Sequence, residues 1–280
     1  MVKFQIMSDL HLEFRGMKFN KLFNVSASIL MLLGDICACG NDNDFEIYKE
    51  FIKYISPKYK YIYHIPGNHE YYTCGNKNIT IKDTIPAIDL KIKKFLKSYK
   101  NVYYINNNTV KLKIDDKNYV IIGSTMWSFV DIENRKKVES TMNDYVDIYV
   151  PNKSSILTDP NIKEIRKYKV DDMCNNHVRS VRYIKSELNK LNPSDICIIL
   201  THHKPYLTKN PKKDNIRFAQ AYESDIIGNA IKLPDNVKIW GYGHTHIKDD
   251  TIIDSVRVVS NPKGYPSQHT QFTPNFTVDV

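Results

Sequence analysis

No stretch of this chain approaches the roughly 20 consecutive apolar residues that a membrane-crossing helix needs. The apolar run near the N-terminus meets Asp9 too soon to serve as a secretion signal. Cysteine is scarce. Cys37, Cys39, Cys74, Cys174 and Cys197 form an odd, scattered set, which argues against a disulfide framework and for a reducing compartment. The Cys37-Ala38-Cys39 pair lacks the second pair of thiols that a structural zinc site would use, so it is read as packing beside a loop. Nor does any repeat, linker or low-complexity segment divide the chain. Together these absences predict a soluble, cytoplasmic protein built as one domain over residues 1–280.

What the chain does have is enough apolar content, 42%, to bury a sizeable core. It also has an excess of positive charge: 40 Lys and Arg against 31 Asp and Glu, for a formal net charge of +9 and a pI near 9.1. Such a balance suits a polyanionic partner, nucleic acid included. The lysines are spread along helices and loops, however, so the charge is read as a diffuse field that favours phosphorylated small molecules or nucleotides over a dedicated nucleic-acid groove.

Chemistry gathers where apolar runs end. The run from Tyr61 stops at Pro66-Gly67-Asn68-His69-Glu70, where Pro and Gly break the strand and leave an amide and an imidazole at its tip. A first strand ends in Ser8-Asp9-Leu10-His11, whose carboxylate and imidazole stand two residues apart and face one way on an extended backbone. Ile29 to Leu33 ends in Gly34-Asp35, Ile196 to Leu200 in Thr201-His202-His203, and Val237 to Trp240 in Gly241-Tyr242-Gly243-His244-Thr245-His246. Singly, an Asp or His after a strand is more often a turn former or a satisfied polar group. Together the five sites supply Asp, His and Asn in the mixture that borderline divalent metals prefer.

In their order these blocks resemble the calcineurin-like metallophosphoesterases, whose pattern D-x-H, GD, GNH-[DE], H, GHxH stands here as Asp9-Leu10-His11, Gly34-Asp35, Gly67-Asn68-His69-Glu70, His202 and Gly243-His244-Thr245-His246. The likeness runs from Phe4 to about Asn261, and DLHLEF, GNHEYY, GSTMW, MNDY, THHKP and NPKGY resemble a branch of small bacterial and viral members. The resemblance implies an α/β/β/α sandwich of two mixed sheets flanked by helices, and two divalent ions. Carried over by position, Asp9, His11, Asp35 and His246 hold one ion and Asp35, Asn68, His202 and His244 the other, with Asp35 bridging and His69 as a histidine that is not a ligand but an acid toward the leaving oxygen. His202 and His203 are adjacent and diverge, so one of them is the ligand, and His202 is chosen because it comes first after the strand. Manganese is the first choice of metal, and the ligands also admit Fe, Zn or Ni. The implied function is a metal-dependent phosphohydrolase. Its alternatives are a nuclease of the same fold or, from another class, a binding scaffold such as the retromer subunit with a degraded site. The segment after Asp35 lacks the acidic and arginine residues of protein Ser/Thr phosphatases, which leaves Glu70 or Asp42 as candidates to orient His69.

Between these blocks, periodicity predicts helices over Asp44–Ile55, Asp83–Tyr99 and Asp171–Leu191, the last with His177 as a structural residue beside its apolar stripe. Strands are expected at Val102–Ile105, Thr109–Ile114 and Tyr119–Gly123, the latter two joined by a turn over residues 115–118, with a closing hairpin from Thr251 to Ser260 and a last strand at Phe276–Val280. Residues 124–160 lose periodicity and are read as a cap or loop insertion over the site. The basic loop with Lys204, Lys209, Lys212, Lys213 and Arg217 could hold a phosphate or simply be solvated.

Overall fold

The apolar runs that end in Asp, Asn or His are strands with both faces buried, which is why they read as continuous rather than alternating. The structure, a computed structural model, describes residues 1–14, 18–22, 24–152, 164–208 and 216–280. One sheet sets β1 (Lys3–Met7), β2 (Ile29–Leu33), β3 (Tyr61–Ile65) and β4 (Val102–Tyr104) parallel to one another, with β13 (Thr277–Asp279) antiparallel at the free side of β1. The other is mixed. Its six strands run in the order β5 (Asn108–Ile114), β6 (Lys117–Ser124), β9 (Ile196–Thr201), β10 (Val237–Tyr242), β12 (Val256–Ser260), β11 (Asp249–Ile253), and β6, β9, β10 and β12 are parallel.

Alternation along each strand builds the layers. On β2, Ile29, Met31 and Leu33 face the second sheet, while Leu30 and Leu32 meet α1 (Asp42–Ile55) and α2 (Ile85–Leu96). On β9, Ile198 and Leu200 pack between the sheets, and Cys197 and Ile199 meet Ile184 and Leu188 of the long helix Val170–Leu188. The result is the expected α/β/β/α sandwich. Helix α1 starts where Asn41 accepts hydrogen bonds from the backbone of Asn43 and Asp44. It buries the stripe Phe45, Tyr48, Phe51, Ile52 and Ile55.

The β5–β6 hairpin is tighter than its turn composition suggests. Ile114 pairs with Lys117, so only Asp115 and Asp116 form the turn, at φ 47° and 62°. Two-residue hairpin turns of the I′ type put both central residues in that left-handed region. The excursion after β6 is partly regular: short helices α3 (Arg135–Glu139) and α4 (Asp144–Asp147) precede a small hairpin of β7 (Tyr149–Pro151) and β8 (Ile165–Lys167). Val138, Tyr145 and Ile148 join the core on the helix side of the first sheet. Cys37 and Cys39 are buried thiols that donate to backbone carbonyls, as packing residues do. His177 is buried against the Trp127 carbonyl. Among the described residues no helix is long and apolar enough to cross a membrane.

Candidate metal centre

Parallel register brings the strand ends level. Leu32 lies beside both Met7 and His64, and on the second sheet Leu200 lies beside Gly241, so the turns that follow leave the same edge of the sandwich. The two layers meet there at Gly34 and Gly67. Gly34 has φ +86°, and a Cβ on it would stand 2.3 Å from His202 Nδ1. One on Gly67 would stand 2.2 Å from Asp35 Oδ1. Only hydrogen at these positions lets the loops of the first sheet nest under the histidines of the second. Asp9, His11, Asp35, His244 and His246 are themselves left-handed, with φ between 45° and 67°. That region is costly for any residue with a Cβ. Hydrogen bonds hold it: Asp9 N to Gly34 O at 2.9 Å, His11 N to Asp35 O at 3.0 Å, and His244 N to Asp9 Oδ1 at 2.9 Å.

All seven of the residues named as ligands converge. Asp9, His11, Asp35 and His246 offer atoms within 4.8 Å of one another, and so do Asp35, His202 and His244. Asn68 joins the second group, with its Oδ1 3.1 Å from His202 Nε2. Asp35 is common to both. Its Oδ2 lies 3.9 Å from His11 Nε2 and its Oδ1 3.3 Å from His202 Nε2. His203 turns the other way. Its Nδ1 meets Ser128 Oγ at 2.7 Å, and burial with His244 and His202 nearby holds it well below the usual histidine range.

The donor set fits cations because acceptors face acceptors. His202 Nδ1 donates to the Leu33 carbonyl at 2.8 Å, which turns its Nε2 to the acceptors Asn68 Oδ1 and Asp35 Oδ1. Burial pulls its pKa down, but Asp35 outweighs it and lifts it to about 9, so positive charge, a proton or a metal ion, belongs at that nitrogen. Asn68 is oriented in turn by its amide, which donates to Asp144 Oδ1 at 2.7 Å. His11 Nδ1 and His246 Nδ1 face the oxygens Glu13 Oε1 and Gln268 Oε1 at 3.1 and 2.6 Å, which leaves their Nε2 atoms opposed at 3.0 Å. Two lone pairs at that distance need positive charge between them, a proton or a metal ion. His244 Nε2 is buried with no partner, and burial followed by the neighbouring His202 lowers its pKa to about 3, so it stays neutral. This fixing of His11, His202 and His246 through the far nitrogen is the usual support of metal-bound histidine.

His69 stands beside this cluster, stacked on Tyr72 with ring centres 4.0 Å apart. The residue that orients it is Glu13. Glu13 Oε1 meets His69 Nδ1 at 3.0 Å and His11 Nδ1 at 3.1 Å. Neither candidate named from sequence does so. Glu70 is fully buried and instead accepts from the backbone N–H groups of Asp35, Ile36 and Gly67 at 2.6–2.9 Å, while Asp42 is at the surface with Lys91. A carboxylate needed by three buried amides is not free to reach His69. Burial pulls the His69 pKa down, but Asp35 and the Glu13 hydrogen bond outweigh it and lift it to about 9. Glu13 itself falls to about 2, because the hydrogen bonds from His11 and His69 overcome its burial. Glu13 was legible in principle: Asp9, His11 and Glu13 are spaced by two, the spacing that singled out the first two. Asp144, 76 residues from Asn68, carries no comparable signal.

A cavity of about 310 Å³ opens onto these groups. Asp35, Asn68, His69, His244 and His246 form its floor, and Thr141 to Asn143 of the excursion, Tyr222 and Tyr265 line the rest. Lys204 is not part of it. Its ammonium is buried against Glu223 at 2.9 Å, so a carboxylate already satisfies the charge that a phosphate would use. Lys209, Lys212 and Lys213 lie outside the described residues, as does the side chain of Arg217.

Comparison with known proteins agrees with this site. The uncharacterized protein L509 of Acanthamoeba polyphaga mimivirus is 29% identical over 292 aligned residues, spanning 98% of this chain and 95% of its own. Among solved structures, the phosphopantetheinyl hydrolase PptH from Mycobacterium tuberculosis superposes with a TM-score of 0.63 at 17% identity, over 94% of this chain and 90% of that one, a likeness of fold. The profile of the calcineurin-like phosphoesterases matches residues 2–248, the span that carries all five strand-end blocks, and the chain belongs to that family.

Proposed function

We propose that the chain is a dinuclear-metal-dependent phosphohydrolase acting on a phosphodiester or phosphomonoester. The observation that carries this reading is the set of acceptors facing acceptors around the shared carboxylate of Asp35. Asp9, His11, Asp35 and His246 would hold one ion, and Asp35, Asn68, His202 and His244 the other. When bound, two divalent cations neutralise phosphoryl oxygens and supply a water acidic enough to attack phosphorus in line. Neutral imidazoles and one amide leave that positive charge largely uncancelled, as phosphate binding requires. Manganese is the first choice, and Fe, Zn or Ni would suit the same ligands.

The chain's own residues supply the proton. As the bond from phosphorus to the leaving oxygen breaks, the Nε2 proton of His69 passes to that oxygen, and His69 is left neutral. Glu13 keeps Nδ1 protonated and the ring aimed at the cavity. Of the cap expected over residues 124–160, the described part to residue 152 contributes Thr141 to Asn143 to the cavity wall, and residues 153–160 lie outside the described residues.

The test is hydrolysis of bis-aryl and mono-aryl phosphates, cyclic nucleotides, a phosphopantetheinyl ester and oligonucleotides, with metal content measured alongside. The last two probe the activity named for the neighbouring structure and the nuclease reading that the net charge of +9 favours. Asp35→Asn should abolish turnover and lower the bound metal. Unchanged hydrolysis in that variant would reject the reading.

A further inference from the structure

The loop that follows β12 carries the sequence Asn261-Pro262-Lys263-Gly264-Tyr265, and it is docked on the metal centre by its backbone. Lys263 N donates to Ser8 O at 3.0 Å and Gly264 N to Asp9 O at 2.9 Å, so the loop is fixed to the residues on either side of the first ligand's peptide. Gly264 makes this approach possible: its φ is +68°, and a Cβ there would lie 2.5 Å from Thr270 Cγ2. Gln268 closes the loop. Its Oε1 accepts from Tyr265 N at 2.8 Å and from His246 Nδ1 at 2.6 Å, tying the Tyr265 backbone to a proposed ligand.

Held in this way, the Tyr265 ring lies against His11 and His246, with centroids 4.4 and 4.8 Å away, and its hydroxyl meets His69 Nε2 at 3.1 Å. Nδ1 of His69 is occupied by Glu13, so Nε2 is the nitrogen that can reach a leaving group. A leaving oxygen within reach of Nε2 therefore also comes within reach of the Tyr265 hydroxyl, which the latched loop keeps in the cavity.

Resting on the hydrolase reading above, we propose that Tyr265 is a second catalytic residue, whose phenol donates a hydrogen bond to the leaving-group oxygen while His69 protonates it. The phenol keeps its proton. Negative charge growing on the leaving oxygen shortens and strengthens the hydrogen bond in the transition state.

The experiment compares wild type and Tyr265→Phe on aryl phosphodiesters whose leaving phenols span several units of acidity, with metal content measured in both. The phenyl ring remains in Tyr265→Phe, so packing on His11 and His246 is kept. The expected result is unaltered metal content and a kcat loss that grows with leaving-group basicity, from about 3-fold for a nitrophenol to about 100-fold for an unactivated phenol. Wild-type rates in Tyr265→Phe overturn the proposal, and so does a loss of the same size for every leaving group, which would place the hydroxyl elsewhere in the reaction. If metal is lost from Tyr265→Phe, the residue supports the ligands and the proposal also fails. Absence of ester hydrolysis in metal-replete wild type would instead defeat the hydrolase reading itself. Gln268→Ala frees the loop and also removes the oxygen that faces His246 Nδ1, so it is assayed at saturating metal, where a smaller loss with the same dependence on the leaving group is expected and a loss equal for every leaving group counts against the proposal.

Discussion

Two glutamates, Glu13 with its side chain turned inward and the fully buried Glu70, stand two residues or fewer from a histidine of the site and serve it through different atoms. Glu13 fixes imidazoles. Glu13→Gln should cost about 10- to 100-fold in activity or metal affinity, as loss of such outer partners does, and this is read from kcat at increasing metal concentration. Glu70 fixes backbone. With three N–H groups depending on it, Glu70→Ala should destabilise the fold by about 3 kcal/mol or more and lower the thermal midpoint by roughly 6–12 °C. Asp89, half-buried, accepts from Tyr71 and Tyr104 at 2.9 and 2.5 Å, and desolvation raises its pKa despite those bonds. Its folded pKa lies above the unfolded value, so its contribution is fully present below the unfolded value of 3.8 and is lost as pH rises through the folded one. Asp89→Asn should therefore gain on the wild type as pH rises from 4 towards 7, measured as the difference in thermal midpoint. A midpoint difference that does not change with pH would contradict this.

At the level of elements, the strands and helices were legible because their signals are local. The stripe from Phe45 to Ile55 marks α1, and an Asp, Asn or His closing an apolar run marks a strand end. Contacts between segments were not legible. That Glu70 serves three amides, that Asp144 orients Asn68, and that Lys204 is consumed by Glu223 all depend on which loops meet in space. Composition alone makes the hairpin turn four residues, Asp115, Asp116, Lys117 and Asn118, whereas pairing with β5 decides which of them remain in the strand. Asp116 sits at φ 62° and its ion pair with Lys113 is at the surface, where such pairs contribute little. Asp116→Gly should stabilise the hairpin by about 0.5–1 kcal/mol, seen as a small rise in the thermal midpoint.

For the molecule as a whole, the net charge is +9, and the proposed substrate is an anion. If the field steers substrate, kcat/KM for an anionic ester should fall by roughly 3- to 10-fold as ionic strength rises from about 0.01 to 0.15 M, with kcat little changed. Equal values at both strengths would remove the field from the account. The seam at Gly34 and Gly67 has a separate consequence. Each proposed ion draws ligands from strands of both sheets, so neither sheet can complete a binding set alone. Ion occupancy is then a gauge of closure between the two layers. A substitution deep in the interlayer, tens of residues from any histidine, would announce itself first as a demetallated protein.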